Sequence, residues 1–186
     1  MARFEFATTP LEGLLAVQRR PVEDQRGFLC RVYCADEFAA AGIREPLSQI
    51  NHTLTRRTGA VRGMHFQHPP HAEMKLVSCL RGQVFDVAVD VRRHSPTFLR
   101  WHADVLSAAN TRALLIPAGF AHGFQALTDD CEVLYLTTAP YDPACEGALN
   151  ARDPRLAIAW PLPITAMSDR DWSHPMVPAD FDGLEL

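Results

Sequence analysis

Lysine is almost missing from this chain: of its 18 basic side chains, 17 are arginine and only Lys75 is lysine. No run approaches the roughly 20 apolar residues of a membrane span. The opening Met1 to Pro10 also lacks a basic stretch followed by an apolar one. Neither a membrane protein nor an exported one is therefore expected, and a cytoplasmic address follows by default. The five cysteines (Cys30, Cys34, Cys79, Cys131, Cys145) form an odd count with no two-residue spacing, which argues against a disulfide framework or a zinc knuckle and for free thiols. There is no Gly-rich phosphate loop and no Ser or Cys nucleophile signature, so any phosphate must be met by arginine. A net charge of -4 and a pI near 6.0 leave no basic excess for a nucleic-acid backbone.

What is present is enough apolar residue, 47% of 186, for one domain spanning residues 1–186 with its own core. From Leu47 onward, alternating β-branched runs are bounded by Gly, Pro and Asp. They predict strands at 48–54, 60–67, 74–80, 83–91, 99–106, 112–116, 121–127 and 131–138, with Arg81-Gly82 as a tight turn. Many short strands joined by turns predict an all-β fold, a sandwich or jelly roll of the cupin double-stranded β-helix type. Helix is confined to short peripheral pieces such as 36–41, stopped by Gly42. The last forty residues carry single prolines among apolar residues such as Trp160 and Trp172, and are expected to wrap the barrel in an ordered tail.

Polar residues interrupt these apolar strands at Gln49, Asn51, Arg62, His65, Lys75, His122 and Tyr135. A barrel interior either fills with side chains or keeps a cavity lined by a few convergent polar groups. If Pro69-Pro70-His71 is a hairpin tip, His65 faces Lys75; a hairpin at Thr128-Asp129 would set His122 opposite Tyr135. A strand His is more often a hydrogen-bonded core residue than a catalyst. Together, however, a neutral imidazole can take a proton, an ammonium can hold an enolate oxygen, and a phenol can return a proton from the other side. Lys75 is alternatively the surviving exposed lysine of an Arg-biased chain. His65, His68 and His71 superficially suggest a metal cluster, but His68 and His71 flank the Pro-Pro pair, and Gln67 stands where a carboxylate ligand would be wanted. No metal and no cofactor is expected.

Several ordered motifs resemble one family. They are Gly59-Ala60-Val61-Arg62-Gly63-Met64-His65-Phe66-Gln67, then Lys75-Leu76-Val77, the run Gly82 to Asp90, Ser95-Pro96-Thr97-Phe98, Ile116 to Phe124, and Tyr135 with Tyr141-Asp142-Pro143. From about Arg26 to Asp171 the chain resembles the dTDP-4-dehydrorhamnose 3,5-epimerases. The resemblance implies a homodimeric, cofactor-free cupin epimerase acting on a nucleoside-diphosphate 4-keto-6-deoxyhexose. It implies His65 as the base, Asp171 as the carboxylate orienting it, Lys75 as the enolate-stabilising cation and Tyr135 as the opposing acid. Arg26, Gln49, Asn51, Arg62, His122, Glu146 and Arg170 match substrate-contacting positions, with Tyr141 stacking on the base and Arg26 entering a neighbouring subunit's site. Departures fall near the nucleotide: Leu29 replaces a usual Phe, Arg31 a usual Glu, and Glu73 stands where Gln is common. Rival readings are an epimerase of one carbon with another nucleotide, a metal-dependent cupin, and a sugar-nucleotide binding module without turnover.

Overall fold

The computed structural model describes residues 2–186. In chain order the elements are β1 (Phe4–Thr8), β2 (Leu15–Arg19), β3 (Val22–Asp24), β4 (Gly27–Leu29), α1 (Ala35–Ala40), β5 (Gln49–Thr55), β6 (Val61–Gln67) and β7 (Lys75–Arg81). They continue with β8 (Gln83–Asp90), β9 (Trp101–Ser107), β10 (Arg112–Ile116), β11 (Phe120–Ala126), β12 (Cys131–Thr137), β13 (Glu146–Ala148) and α2 (Asp169–Ser173). A six-stranded sheet runs β1-β2-β10-β7-β12-β5, a five-stranded sheet runs β13-β6-β11-β8-β9, and β3-β4 form a separate hairpin. This is the expected all-β jelly roll with two short peripheral helices. No helix among the described residues is long and apolar enough to cross a membrane.

Strand periodicity explains the layers. Inward residues of both sheets, among them Val77, Val84, Leu106, Leu114, Phe120 and Val133, form a core between the sheets. The alternate residues are not left wet: β7, β8 and β11 are buried on both faces over most of their length. On the six-stranded sheet, Leu76, Leu115 and Leu136 are covered by Phe38 of α1. Val87, Val89 and Ala121 of the five-stranded sheet are covered by Leu156, Val177 and Leu184 of the C-terminal tail. That tail is ordered and wraps the sheet as expected. Each Val or Leu so buried contributes about 1.5–3 kcal/mol.

Both hairpin pairings expected from the sequence are wrong. His65 lies on β6 opposite His122 and Ala148, whereas Lys75 lies on β7 opposite Ile116 and Thr137. His122 pairs with Ala88 and His65, and Tyr135 with Asn51 and Val77. The physical reason is the same in each case. In a jelly roll the chain passes from one sheet to the other between β6 and β7 and again between β11 and β12, so sequence neighbours face each other across the barrel and do not share a ladder. Arg81-Gly82 is likewise a crossing between β7 and β8, with Gly82 at φ +74°. Strands β1 to β4 and β13, and helix α2, were not foreseen.

One close approach shapes the site. Where β6 meets β11 the register shifts between His122 and Phe124. A Cβ on Gly63 would sit 2.5 Å from Gly123 Cα, and one on Gly123 would sit 2.6 Å from Met64 Sδ. Two glycines let these backbones touch, and His65 and His122 stand beside that contact.

Candidate active site

Between the sheets opens a cavity of about 960 Å³, lined by Gln49, Asn51, Arg62, His65, Lys75, His122, Tyr135, Tyr141, Glu146, Arg170 and Asp171. Each sheet supplies one chemical half. His65 and His122 come from the five-stranded sheet on β6 and β11, while Gln49, Asn51, Lys75 and Tyr135 come from the six-stranded sheet on β5, β7 and β12. An imidazole and a phenol therefore face the same space from opposite walls.

Asp171 is 3% exposed and sits in α2, whose N-cap Ser168 accepts from the Asp171 amide. Its Oδ1 lies 2.6 Å from His65 Nε2, and its Oδ2 accepts from the Gly63 amide at 3.3 Å. Burial pushes the Asp171 carboxyl up. The hydrogen bond and charge of His65, with the Gly63 amide and Ser168, outweigh that and leave it below the usual carboxylate range. An ionised carboxylate only accepts, so Nε2 carries the proton of the neutral ring and Nδ1 is its basic nitrogen.

Lys75 is buried, donates to the His65 carbonyl at 3.2 Å, and lies 3.0 Å from Glu73 Oε1. The lone lysine thus reaches the backbone of His65 from the facing sheet, although the two are not hairpin partners. Burial raises the Tyr135 phenol above its ordinary value despite the opposing pull of the Arg62 guanidinium. The phenol therefore stays a proton donor at neutral pH. His122 Nε2 is 2.9 Å from the fully buried Asp86, a second imidazole–carboxylate pair beside the first.

At the mouth, Arg62 is held by Thr55 Oγ1 at 2.9 Å and the Leu54 carbonyl at 3.1 Å, and Arg56 and Arg57 join the lining. Tyr141 is fixed by its amide on Gln49 Oε1 and by its hydroxyl on Glu146, which also pairs with Arg170 at 3.0 Å. Arg26 and Arg31 are not in this group. Arg26 projects from the β3–β4 hairpin with its side chain 84% exposed, paired to Asp24, and Arg31 pairs with Glu37 at 3.1 Å.

The suspected trio His65, His68 and His71 does not converge. The His68 ring packs on Phe66 and His71 lies 3.4 Å from Asp142. Among the described residues, the sets whose donor atoms gather within 4.8 Å are His65, Asp171, His174 and, separately, His71, Asp142, Cys145. Sequence reasoning assigned no role to Asp86, Arg56, Arg57 or His174. Only the charge of Asp86 inside an apolar strand signalled its place.

Residues 8–178 match the family described as dTDP-4-dehydrorhamnose 3,5-epimerase. The chain belongs to that family. The dTDP-4-dehydrorhamnose 3,5-epimerase of Methanothermobacter thermautotrophicus is 38% identical over 177 residues, covering 92% of this chain and 95% of the relative. The dTDP-4-dehydrorhamnose 3-epimerase of Streptomyces niveus is 40% identical over 163 residues, covering 87% and 78%. Among solved structures, the dTDP-6-deoxy-D-glucose-3,5-epimerase of Legionella pneumophila in complex with dTDP-4-keto-L-rhamnose superimposes with a TM-score of 0.91. It is 34% identical and covers 98% of this chain and 99% of that one. An epimerase is an isomerase, and a cavity with an imidazole on one wall and a phenol on the other suits that class.

Proposed function

We propose that this protein inverts C3, C5 or both in a nucleoside-diphosphate 4-keto-6-deoxyhexose, by proton removal and return through an enolate. The observation that carries the reading is the pairing of a carboxylate-oriented imidazole, His65, on one sheet with a half-buried phenol, Tyr135, on the other. A ketone acidifies the carbon–hydrogen bonds beside it. His65 Nδ1 takes such a proton, and Asp171 stabilises the imidazolium that forms. Lys75 supplies positive charge to the enolate oxygen from a buried position in the wall, where that charge is worth more than in water. Tyr135 returns a proton to the opposite face, which is what turns exchange into inversion. His122 with Asp86, and Gln49 with Asn51, supply further polar groups to the sugar.

For the diphosphate, Arg62, Arg56 and Arg57 offer guanidinium groups suited to phosphate oxygens. Tyr141, 53% exposed, offers a ring to the base. Thymidine is the first nucleotide to test, since the Legionella relative was solved with a dTDP sugar. The similarity to a 3-epimerase of Streptomyces niveus keeps inversion of a single carbon as the second reading.

The working unit in this proposal is a homodimer. Phe28 is 69% and Leu29 77% exposed on the β3–β4 hairpin, and β5 is an unpaired sheet edge with Ile50 exposed. Exposed apolar arms and open edges call for a cover. A second copy would provide it, and would carry Arg26 and Arg31 toward the neighbour's cavity.

The test is to incubate the protein with a dTDP-4-keto-6-deoxyhexose and read the proton couplings of the product ring by NMR. Altered configuration at C3, C5 or both is expected. Recovery of unchanged sugar from dTDP, UDP and GDP substrates alike refutes the proposal.

A further inference from the structure

Glu73 has no part in the mechanism so far, yet its side chain is only 6% exposed and it lines the cavity. Its Oε1 lies 3.0 Å from Lys75 Nζ, and its other oxygen accepts from Gln67 Nε2. Lys75 Nζ also donates to the His65 carbonyl at 3.2 Å. An ammonium has three N–H groups; one goes to that carbonyl, and the Glu73 carboxylate lies against the same nitrogen as its ion-pair partner on the wall side. We infer that Glu73 is a positioning residue for the reaction: its oxygen, set against the ammonium from the wall, holds Lys75 so that a free N–H meets the enolate oxygen. The inference rests on the epimerase reading above.

The physical need is plain. A lysine stem has many rotamers, and an ammonium held by a single bond would swing about it. Glu73 is itself held by Gln67, whose two N–H groups are shared among three acceptors. Gln67 Oε1 accepts from the Asp142 amide at 2.7 Å, while Nε2 faces the His71 carbonyl at 2.9 Å and the Pro140 carbonyl at 3.1 Å. Those two carbonyls suffice for the two N–H groups of Gln67. A neutral amide at position 73 could therefore still present its oxygen to Lys75.

The experiment compares Glu73→Gln, which keeps an acceptor without the charge, with Glu73→Met, which keeps the length without the acceptor. The readout is the rate of solvent-deuterium exchange into a dTDP-4-keto-6-deoxyhexose across substrate concentrations. Glu73→Met should lower kcat on the order of 10- to 100-fold, the cost of a displaced catalytic group. Its KM should stay near wild type, because Gln49 and Gln67 still hold the segment bearing Tyr141. Glu73→Gln should stay within about threefold of wild type in both constants. If Glu73→Met does not fold, Glu73→Ala takes its place with the same expectation. Wild-type exchange in the variant without an acceptor overturns the inference, as does a Glu73→Gln enzyme as slow as Glu73→Met. Absence of exchange in the wild-type protein overturns the epimerase reading and the inference together.

Discussion

His65 donates its Nε2–H to Asp171 across 2.6 Å, from a strand to a helix 106 residues away in sequence. That bond fixes which ring nitrogen is basic and requires the C-terminal tail to be folded before the base is in place. Replacing Asp171 with Asn keeps the size, removes the charge and puts the ring's tautomer in question. Asp171→Asn should lower the exchange rate by about 100-fold or more, and His65→Ala by about 100- to 10,000-fold, in steady-state assays on proteins with unchanged circular dichroism.

Tyr135 separates two events that wild-type activity joins. With Tyr135→Phe, His65 and Lys75 still form the enolate, so deuterium should enter the sugar while the yield of inverted product falls at least about 10-fold. Because burial raises the phenol above its ordinary value, its loss of a proton falls beyond the ordinary phenol range. A descending alkaline limb below that range in the wild-type profile must come from another group.

Gly63 adopts φ +124°, and a Cβ there would also meet the His122 carbonyl at 2.8 Å. Gly63→Ala combines backbone strain with separation of β6 from β11. It should destabilise the fold by about 3 kcal/mol, seen as a lower urea midpoint, and should displace His65.

Asp90 holds the turn after β8 from a fully buried position. It accepts from Arg92 Nε at 2.9 Å, Arg92 Nη2 at 2.8 Å, and Ser95 and Thr97 hydroxyls at 2.6 Å each. Burial pushes its carboxyl up, but these donors outweigh burial and hold it below the usual range. The folded form therefore binds fewer protons than the unfolded chain near pH 4. The stabilisation is complete above the ordinary carboxylate range and is lost as pH falls through it to the depressed value. Urea titrations should show Asp90→Asn weaker by about 3 kcal/mol at pH 7, with that gap narrowing toward pH 3.

The arm gives a prediction about assembly. Phe28→Ser with Leu29→Ser should convert a dimer to a monomer by light scattering and lower activity, since Arg26 and Arg31 would no longer reach a second cavity. An unchanged mass, or a wild-type protein that is already monomeric, counts against the dimer.

Much of this was legible in the residues. Strands read at 112–116 and 131–138, observed as Arg112–Ile116 and Cys131–Thr137, stand out because Pro117 and Asp130 bound their apolar runs, and Lys75 stands out because it is alone. What failed was pairing. Hairpin arithmetic assumes that neighbours in sequence share a ladder, whereas the chain crosses between sheets after Gln67 and after Ala126. Lys75 and His65 therefore meet across the barrel and not along a sheet. The N-terminal strands were missed although Phe4 and Phe6 alternate with polar partners, and α2 was missed although Ser168 precedes Asp171 by the spacing of an N-cap. Glu73 could not be read as Lys75's partner, because two residues apart on an extended chain says nothing about which side chain turns back.

The most direct test of the converging imidazole, ammonium and phenol is the mass of the sugar recovered after turnover of a dTDP-4-keto-6-deoxyhexose in heavy water. One or two deuterons bound at carbon beside the ketone, absent with His65→Ala and present with Tyr135→Phe, is the predicted result. An inverted product carrying no solvent deuterium would contradict it, since the proton could then not have passed through a group that exchanges with water.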